Sequence, residues 1–127
     1  MAEATTYGLT HLTIAVVNIK RTKLFYQHIF GMEVMYEEGG FLQLTTPGSN
    51  DILVFEVKDN AENGHTGGIA HFGFRLKDPK DIDKVTSKVK SAGAEITGSG
   101  EFVPGSPYIY FKDPDGYVIE VWYELLP

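Results

Sequence analysis

The strongest constraint on this chain is that its second half repeats its first. Thr10-His11-Leu12-Thr13-Ile14-Ala15-Val16 returns as Ala70-His71-Phe72-Gly73-Phe74-Arg75-Leu76, each a strand-like run with one histidine. The segments after the two runs match as well. After Val16 comes Asn18, whose side-chain oxygen suits a helix cap, then Arg21 to Phe30 with apolar Phe25, Tyr26 and Ile29, then Gly31 as a stop. After Leu76 comes Asp78-Pro79, a cap and a first-turn proline, then Ile82, Val85, Val89 and Ala92 at helical spacing, then Gly93. The separation of His11 from His71 and that of Gly31 from Gly93 are nearly equal, close to half the chain.

Past each helix the hydrophobic period shortens to that of a strand. Glu33 to Glu37, Phe41 to Thr46 and Ile52 to Lys58 read as strands parted by Gly39-Gly40 and Pro47-Gly48-Ser49-Asn50. Ala94 to Thr97, Tyr108 to Lys112 and Tyr117 to Tyr123 are their counterparts, parted by a Gly/Pro/Ser stretch from Gly98 to Pro107 and by Asp113-Pro114-Asp115-Gly116. The sequence therefore predicts an α+β protein, a single domain over 1–127 made of two tandem βαβββ modules, 8–58 and 69–123. Their strands are expected to form a curved, cupped mixed β-sheet with the helices on its outer face.

Composition narrows what such a fold can do. With 127 residues and 43% hydrophobic content the chain can bury one sizeable core. It has no cysteine, so there is no disulfide framework and no thiolate, and any metal must be held by imidazole and carboxylate. A net charge of −6 with scattered basic residues argues against nucleic acid as a partner. No run reaches membrane-span length and no signal pattern opens the chain, so the expected address is cytoplasmic. Asp59 to Gly68 and Gly98 to Pro107 are the expected mobile stretches.

Strand alternation assigns the faces. Leu12, Ile14 and Val16 share one face of the first strand, leaving His11 on the other; Phe72, Phe74 and Leu76 do the same for His71. The apolar faces should pack on the helices, which puts both histidines on the concave side. One histidine at such a position is usually structural, whereas two at equivalent repeat positions point to a shared ligand. Glu120, inside Val118-Ile119-Glu120-Val121-Trp122, is expected to be buried on both faces and so to need compensation. The alternatives are an ion pair with Arg75 or a lysine, or a divalent cation shared with the histidines.

Taken together, these residues resemble a known family. His11-Leu12-Thr13-Ile14-Ala15-Val16, the helix ending in Phe30-Gly31-Met32, His71-Phe72-Gly73-Phe74-Arg75, and Tyr110-Phe111-Lys112-Asp113-Pro114-Asp115-Gly116 running into Ile119-Glu120 are similar to motifs of the vicinal oxygen chelate superfamily. That group contains glyoxalases, bleomycin-resistance proteins and extradiol dioxygenases. The resemblance implies two modules cupped around a divalent metal (zinc, nickel, iron, manganese or cobalt), with His11, His71 and Glu120 on ligand positions. Glu56 in Phe55-Glu56-Val57 is a fourth ligand or a catalytic base if it aligns with Glu120; aligned by distance from the preceding turn, Val54 takes the ligand position instead. The implied activity is a glyoxalase-type lyase or isomerase reaction on a small substrate that chelates through neighbouring oxygens, with Glu56 and Glu120 catalytic. The resemblance also implies a homodimer, with the ligands meeting either within one chain or across two, His11 of one subunit then completing the site of the other.

The chain departs from the better-known members. It has only two arginines, Arg21 and Arg75, few for a glutathione site, and no potassium loop of the fosfomycin-modifying type. A small dioxygenase or fosfomycin-resistance-like enzyme is one alternative. A non-catalytic drug-binding protein is another, for which Phe41, Tyr108, Tyr110 and Trp122 supply aromatic walls. His28 and His65 are read as solvated, with His65 near the cup entrance.

Overall fold

In the computed structural model, which describes residues 3–58 and 63–125, both halves follow the same course. The first module runs β1 (His11–Val16), α1 (Ile19–Phe30), β2 (Glu33–Glu38), β3 (Phe41–Thr45) and β4 (Ile52–Val57). The second runs β5 (Phe72–Arg75), a 3-10 turn over Pro79–Asp81 leading into α2 (Ile82–Ser91), then β6 (Ile96–Glu101), β7 (Pro107–Lys112) and β8 (Val118–Trp122). Each module makes its own four-stranded mixed sheet, ordered β1-β4-β3-β2 and β5-β8-β7-β6. The first strand of each sheet pairs in parallel with the last, because the helix and two strands between them carry the chain back to the same end.

Local chemistry sets the helix ends where the sequence suggests. The Asn18 side chain accepts from the Arg21 N–H at 2.9 Å and starts α1. Gly31, at φ 63°, ends it by donating to the Gln27 carbonyl at 2.9 Å. Asp78 caps the 3-10 turn by accepting from Lys80 N–H.

Alternation then builds a core common to both modules. Ile14 and Val16, Leu42 and Leu44, and Leu53 and Phe55 are buried together with Ile109 and Phe111, Ile119 and Val121, and the helix residues Phe25, Tyr26, Ile29, Val85 and Val89. Each such burial is worth about 1.5–3 kcal/mol. Helix α1 serves both sheets: Tyr26 lies 5.0 Å from Phe55 of its own module, while Phe30 stacks at 3.9 Å on Phe74 of the other.

A polar junction joins the modules at the Asp-Pro-Asp-Gly turn. Tyr26 donates its hydroxyl to Asp113 Oδ2 at 2.8 Å, and Asp113 Oδ1 accepts from the N–H groups of Asp115 and Tyr117 at 3.0 Å each. Asp115 Oδ1 accepts from Val17 N–H and from Arg21 Nη2, and the Tyr117 hydroxyl donates to the Ala15 carbonyl at 2.7 Å. Burial pushes the Asp113 carboxyl up from its ordinary 3.8, opposed by the three hydrogen bonds that favour the charged form. Burial, reinforced by Asp113, holds the Tyr26 hydroxyl well above 10.

Two expectations need correction. The Gly/Pro/Ser stretch is not all loop, because β6 extends to Glu101 and pairs with β7. Glycines there read as breakers, but tyrosine rings from β7 roof them. A Cβ on Gly98 would meet the Tyr110 ring at 3.7 Å, and one on Gly100 the Tyr108 hydroxyl at 3.2 Å. The other correction concerns β8, where Ile119 and Val121 are buried but Val118, Glu120 and Trp122 are partly exposed. Glu120 therefore lies on the face away from the core, and Arg75 is not its partner: Arg75 pairs with Glu124 at 2.9 Å. Of the Asp59 to Gly68 stretch expected to be mobile, residues 59–62 lie outside the described residues.

Candidate metal centre

Cross-strand register places Glu120. It lies opposite Gly73 on β5 and opposite Tyr110 on β7, and His71 stands two residues before Gly73. Glu120 and Tyr110, opposite one another across β7 and β8, share a face, and His71, just before β5, meets them there. His71 Nε2 is 3.9 Å from Glu120 Oε1. The Tyr110 hydroxyl donates to the other carboxylate oxygen, Oε2, and the His71 and Tyr110 rings meet edge to face at 5.1 Å.

Gly73 lets β5 lie close against the backbone of β8 beside the carboxylate. A Cβ at that position would sit 3.1 Å from the Glu120 carbonyl oxygen and 3.5 Å from Oε1. The bond to Glu120 also pushes the Tyr110 hydroxyl up to about 12, helped by desolvation and the nearby negative charge. Tyr110 thus stays a donor through neutral and moderately alkaline pH, and it fixes Oε2 while Oε1 faces the imidazole.

The pair suits a divalent cation. A separation of 3.9 Å is too long for a hydrogen bond, and a cation with bonds of about 2.0–2.2 Å would draw the two donors somewhat closer together. The Glu120 side chain is only 13% exposed and the His71 side chain 35%, so the site is sheltered but open on one side. An imidazole and a carboxylate, with the carboxylate held by a phenol behind it, make a donor set for zinc, manganese, iron, cobalt or nickel.

In the first module the same register gives different residues. Val54 lies opposite Thr13 and Gln43, with His11 two residues before Thr13. Val54 is thus the repeat equivalent of Glu120, and Gln43 that of Tyr110. Glu56 pairs with Ala15 and Phe41, the place that Trp122 holds in the second module. It is half exposed and 4.0 Å from Lys58. His11 is exposed, its Nδ1 3.0 Å from the Thr10 hydroxyl, and it shares a cavity of about 220 Å³ with Gln43, Val54 and Glu56. Among the described residues of one chain, no three imidazole or carboxylate groups come together as a metal site. The structure brings His71 and Glu120 together and leaves His11 apart from them, with Glu56 lining one cavity with His11 and another with His71.

A family model described as the Glyoxalase/Bleomycin resistance protein/Dioxygenase superfamily matches residues 8–121. The chain belongs to this superfamily. Within it, the chain is 30% identical over 124 residues to the catechol-2,3-dioxygenase of Bacillus subtilis, covering 94% of this chain but 42% of that protein. It is 24% identical over 126 residues to the manganese-dependent 2,3-dihydroxybiphenyl 1,2-dioxygenase of Geobacillus genomosp. 3, covering 98% of this chain and 38% of that protein. The chain thus spans less than half the length of these dioxygenases. A crystal structure of the fosfomycin resistance protein FosX from Listeria monocytogenes superposes with a TM-score of 0.80 at 25% identity, covering 96% of this chain and 97% of that one. The superfamily fold is therefore shared by members that differ in chemistry, and the side chains on the cupped faces must carry the distinction.

Two histidines outside this set have other surroundings. His28 Nε2 meets the Ser91 hydroxyl at 2.9 Å and links α1 to α2, a contact that sequence spacing could not reveal. His65 lines a cavity of about 460 Å³ with Glu56, Lys58 and His71, at the junction of β1 and the segment before β5. Tyr110 was legible only as an aromatic wall. Its role behind Glu120 depends on the β7–β8 register. No helix among the described residues is long and apolar enough to cross a membrane.

Proposed function

We propose that this superfamily member is a divalent-metal-dependent enzyme acting on a small substrate that presents two neighbouring oxygens. The observation that carries this reading is the His71–Glu120 pair at 3.9 Å with Tyr110 hydrogen-bonded behind the carboxylate. Relatives whose names state a metal, such as the manganese-dependent dioxygenase, support it.

A single chain offers two donors there, and a homodimer supplies more. His11, exposed on the face of the first module, is the third ligand when a second copy lays that face against His71 and Glu120. Glu56, which lines a cavity with His71 in the same chain and another with His11, would serve as a fourth ligand or as a base. A cation bound there supplies Lewis-acid stabilisation of negative charge on the substrate oxygens. Glu56, half exposed, takes a proton from the substrate carbon and returns it to the neighbouring one, in a lyase or isomerase reaction. Tyr110 keeps Glu120 aimed.

Elemental analysis of protein loaded with divalent metals and desalted tests the reading. Near-stoichiometric metal in the wild type and none in His71→Ala is the expected result; no metal in either overturns it. Glu56→Gln should then hold metal but lose turnover of a hemithioacetal or related substrate, and unchanged turnover would remove Glu56 as the base. The partly exposed aromatic side chains beside Glu120 favour one other reading, sequestration of a flat drug without catalysis. Tight drug binding that is indifferent to metal removal would decide for it.

A further inference from the structure

A cavity of about 760 Å³ lies on the helix side of the sheets, away from the face that carries the candidate metal centre. Its walls are Arg21, Leu24 and Phe25 of α1, residues 91–95 at the end of α2, and residues 112–116 of the Asp-Pro-Asp-Gly turn. None of His11, Glu56, His71 or Glu120 borders it. The two modules therefore enclose a second concave surface that the metal reading does not use.

The cations on these walls are already paired, and one of the acids is not. Arg21 faces Asp115 Oδ1 at 3.1 Å, Lys112 faces Glu95 at 3.3 Å, and His28 meets the Ser91 hydroxyl at 2.9 Å. The Asp115 side chain is 1% exposed, and its Oδ1 accepts from both Arg21 Nη2 and Val17 N–H. Its Oδ2 is buried, and no hydrogen-bond donor reaches it among the described residues. Neighbouring Asp113, also buried, has both oxygens satisfied, by Tyr26 and by the N–H groups of Asp115 and Tyr117. A buried carboxylate oxygen left without a donor carries a desolvation cost that a donor entering the cavity would offset.

Charge and hydrophobicity narrow what that donor is. Three carboxyl groups, Glu95, Asp113 and Asp115, border the cavity against two permanent cations, Arg21 and Lys112. Helix α2 ends there at Ser91, which brings the negative end of its dipole to the same place. An anion would have to draw Arg21 and Lys112 away from their carboxylates, whereas a cation finds Asp115 Oδ2 unpaired. The rest of the wall is apolar: Leu24 is 56% exposed, and Ala92, Ala94 and Pro114 border the cavity with it. An apolar wall with one convergent acceptor suits a ligand with a cationic head and a short hydrocarbon body.

We infer that this cavity is a second binding site, for a small primary alkylammonium ion whose N–H groups donate to Asp115 Oδ2 while its carbon chain lies against Leu24 and Pro114. The site stands apart from the metal-dependent reading, since it shares no residue with the candidate metal centre.

Amide chemical shifts followed by NMR test this with three probes of equal chain length, pentylammonium, pentanol and pentanoate, added to protein loaded with divalent metal. Pentylammonium should bind saturably, shift the amides of Ala94, Asp115 and Gly116, and bind about tenfold or more tighter than pentanol, which brings only a neutral donor. Pentanoate should bind most weakly of the three. Asp115→Asn keeps an acceptor for Val17 and Arg21 but removes the charge, so it should weaken pentylammonium about tenfold and leave pentanol unchanged. Leu24→Lys adds a cation at an exposed helix position that neither the core nor the junction uses, so it keeps the test open if Asp115→Asn does not fold. It should weaken pentylammonium at least as much. The inference is overturned by pentanol or pentanoate binding as tightly as pentylammonium, by the absence of saturable shifts, or by unaltered pentylammonium affinity in Leu24→Lys. Shifts confined to Gly73, Glu120 and their neighbours would put the amine on the metal and overturn it as well. Metal content is read in the same samples, so a protein that holds no metal yet binds pentylammonium at Asp115 loses the proposed function and keeps this site.

Discussion

The two modules share a fold and differ in what they place on one face. In the second module the register line through the centre of the sheet reads Gly73, Glu120, Tyr110; in the first it reads Thr13, Val54, Gln43. Each line is preceded by a histidine, yet only one holds a carboxylate with a hydrogen-bond donor behind it and a glycine before it. The repeat thus keeps the backbone and leaves the side chains on the face away from the core free to differ. The first module keeps one imidazole and carries its acid two residues along, at Glu56.

The largest expected effect comes from breaking the difference at its centre. Glu120→Gln preserves shape but removes the charged donor, so metal affinity should fall by more than about 100-fold, beyond the loss typical of an outer partner. Val54→Ala at the equivalent site should leave metal content unchanged, both read by elemental analysis after desalting. Equal metal loss in the two variants would erase the distinction between the modules.

Next comes the support of Glu120. Tyr110→Phe removes the donor to Oε2 and should weaken metal binding about 10- to 100-fold while the fold holds. Gln43→Leu, the counterpart of Tyr110, should do nothing. In a spectrophotometric phenol titration of the metal-free protein, the group ionising at about 12 should vanish in Tyr110→Phe and move down in Glu120→Gln.

A smaller effect tests what the modules share. Tyr26→Phe deletes the buried hydrogen bond to Asp113 across the junction and should cost about 1.5–3 kcal/mol in urea denaturation. Acid gives a sign. Burial raises Asp113 above its ordinary 3.8, so the folded state binds that proton more tightly than the unfolded chain. The stabilising contribution is full below 3.8 and is lost as pH rises through the folded value. The wild type should therefore gain stability relative to Asp113→Asn as pH is lowered from about 7 towards 4; a gap that stays constant would refute the raised value. Asn18→Ala, the loss of the α1 cap, should cost about 1 kcal/mol and leave metal content intact.

Most of the fold was legible because its signals are local. Asn18, Gly31 and Asp78 act within a few residues, and alternation along single strands put His11 and His71 on the face away from the helices. The readings that failed depended on neighbours distant in sequence. Gly98 and Gly100 sit in a strand because tyrosines of β7 cover them. Glu120 was expected between two apolar faces because Val118 and Trp122 flank it, yet both share its partly exposed face.

Two βαβββ modules, the ends of their helices and the apolar side of each strand follow from the order of residues alone. These are short-range matters of period, capping and backbone freedom. The approach of Glu120 to His71 and Tyr110, the place of Val54 rather than Glu56 as its counterpart, and the bond from Tyr26 to Asp113 of the other module come from how the strands pair and pack. Register is set by hydrogen bonds between strands far apart in the chain, and no pattern within one strand contains that information.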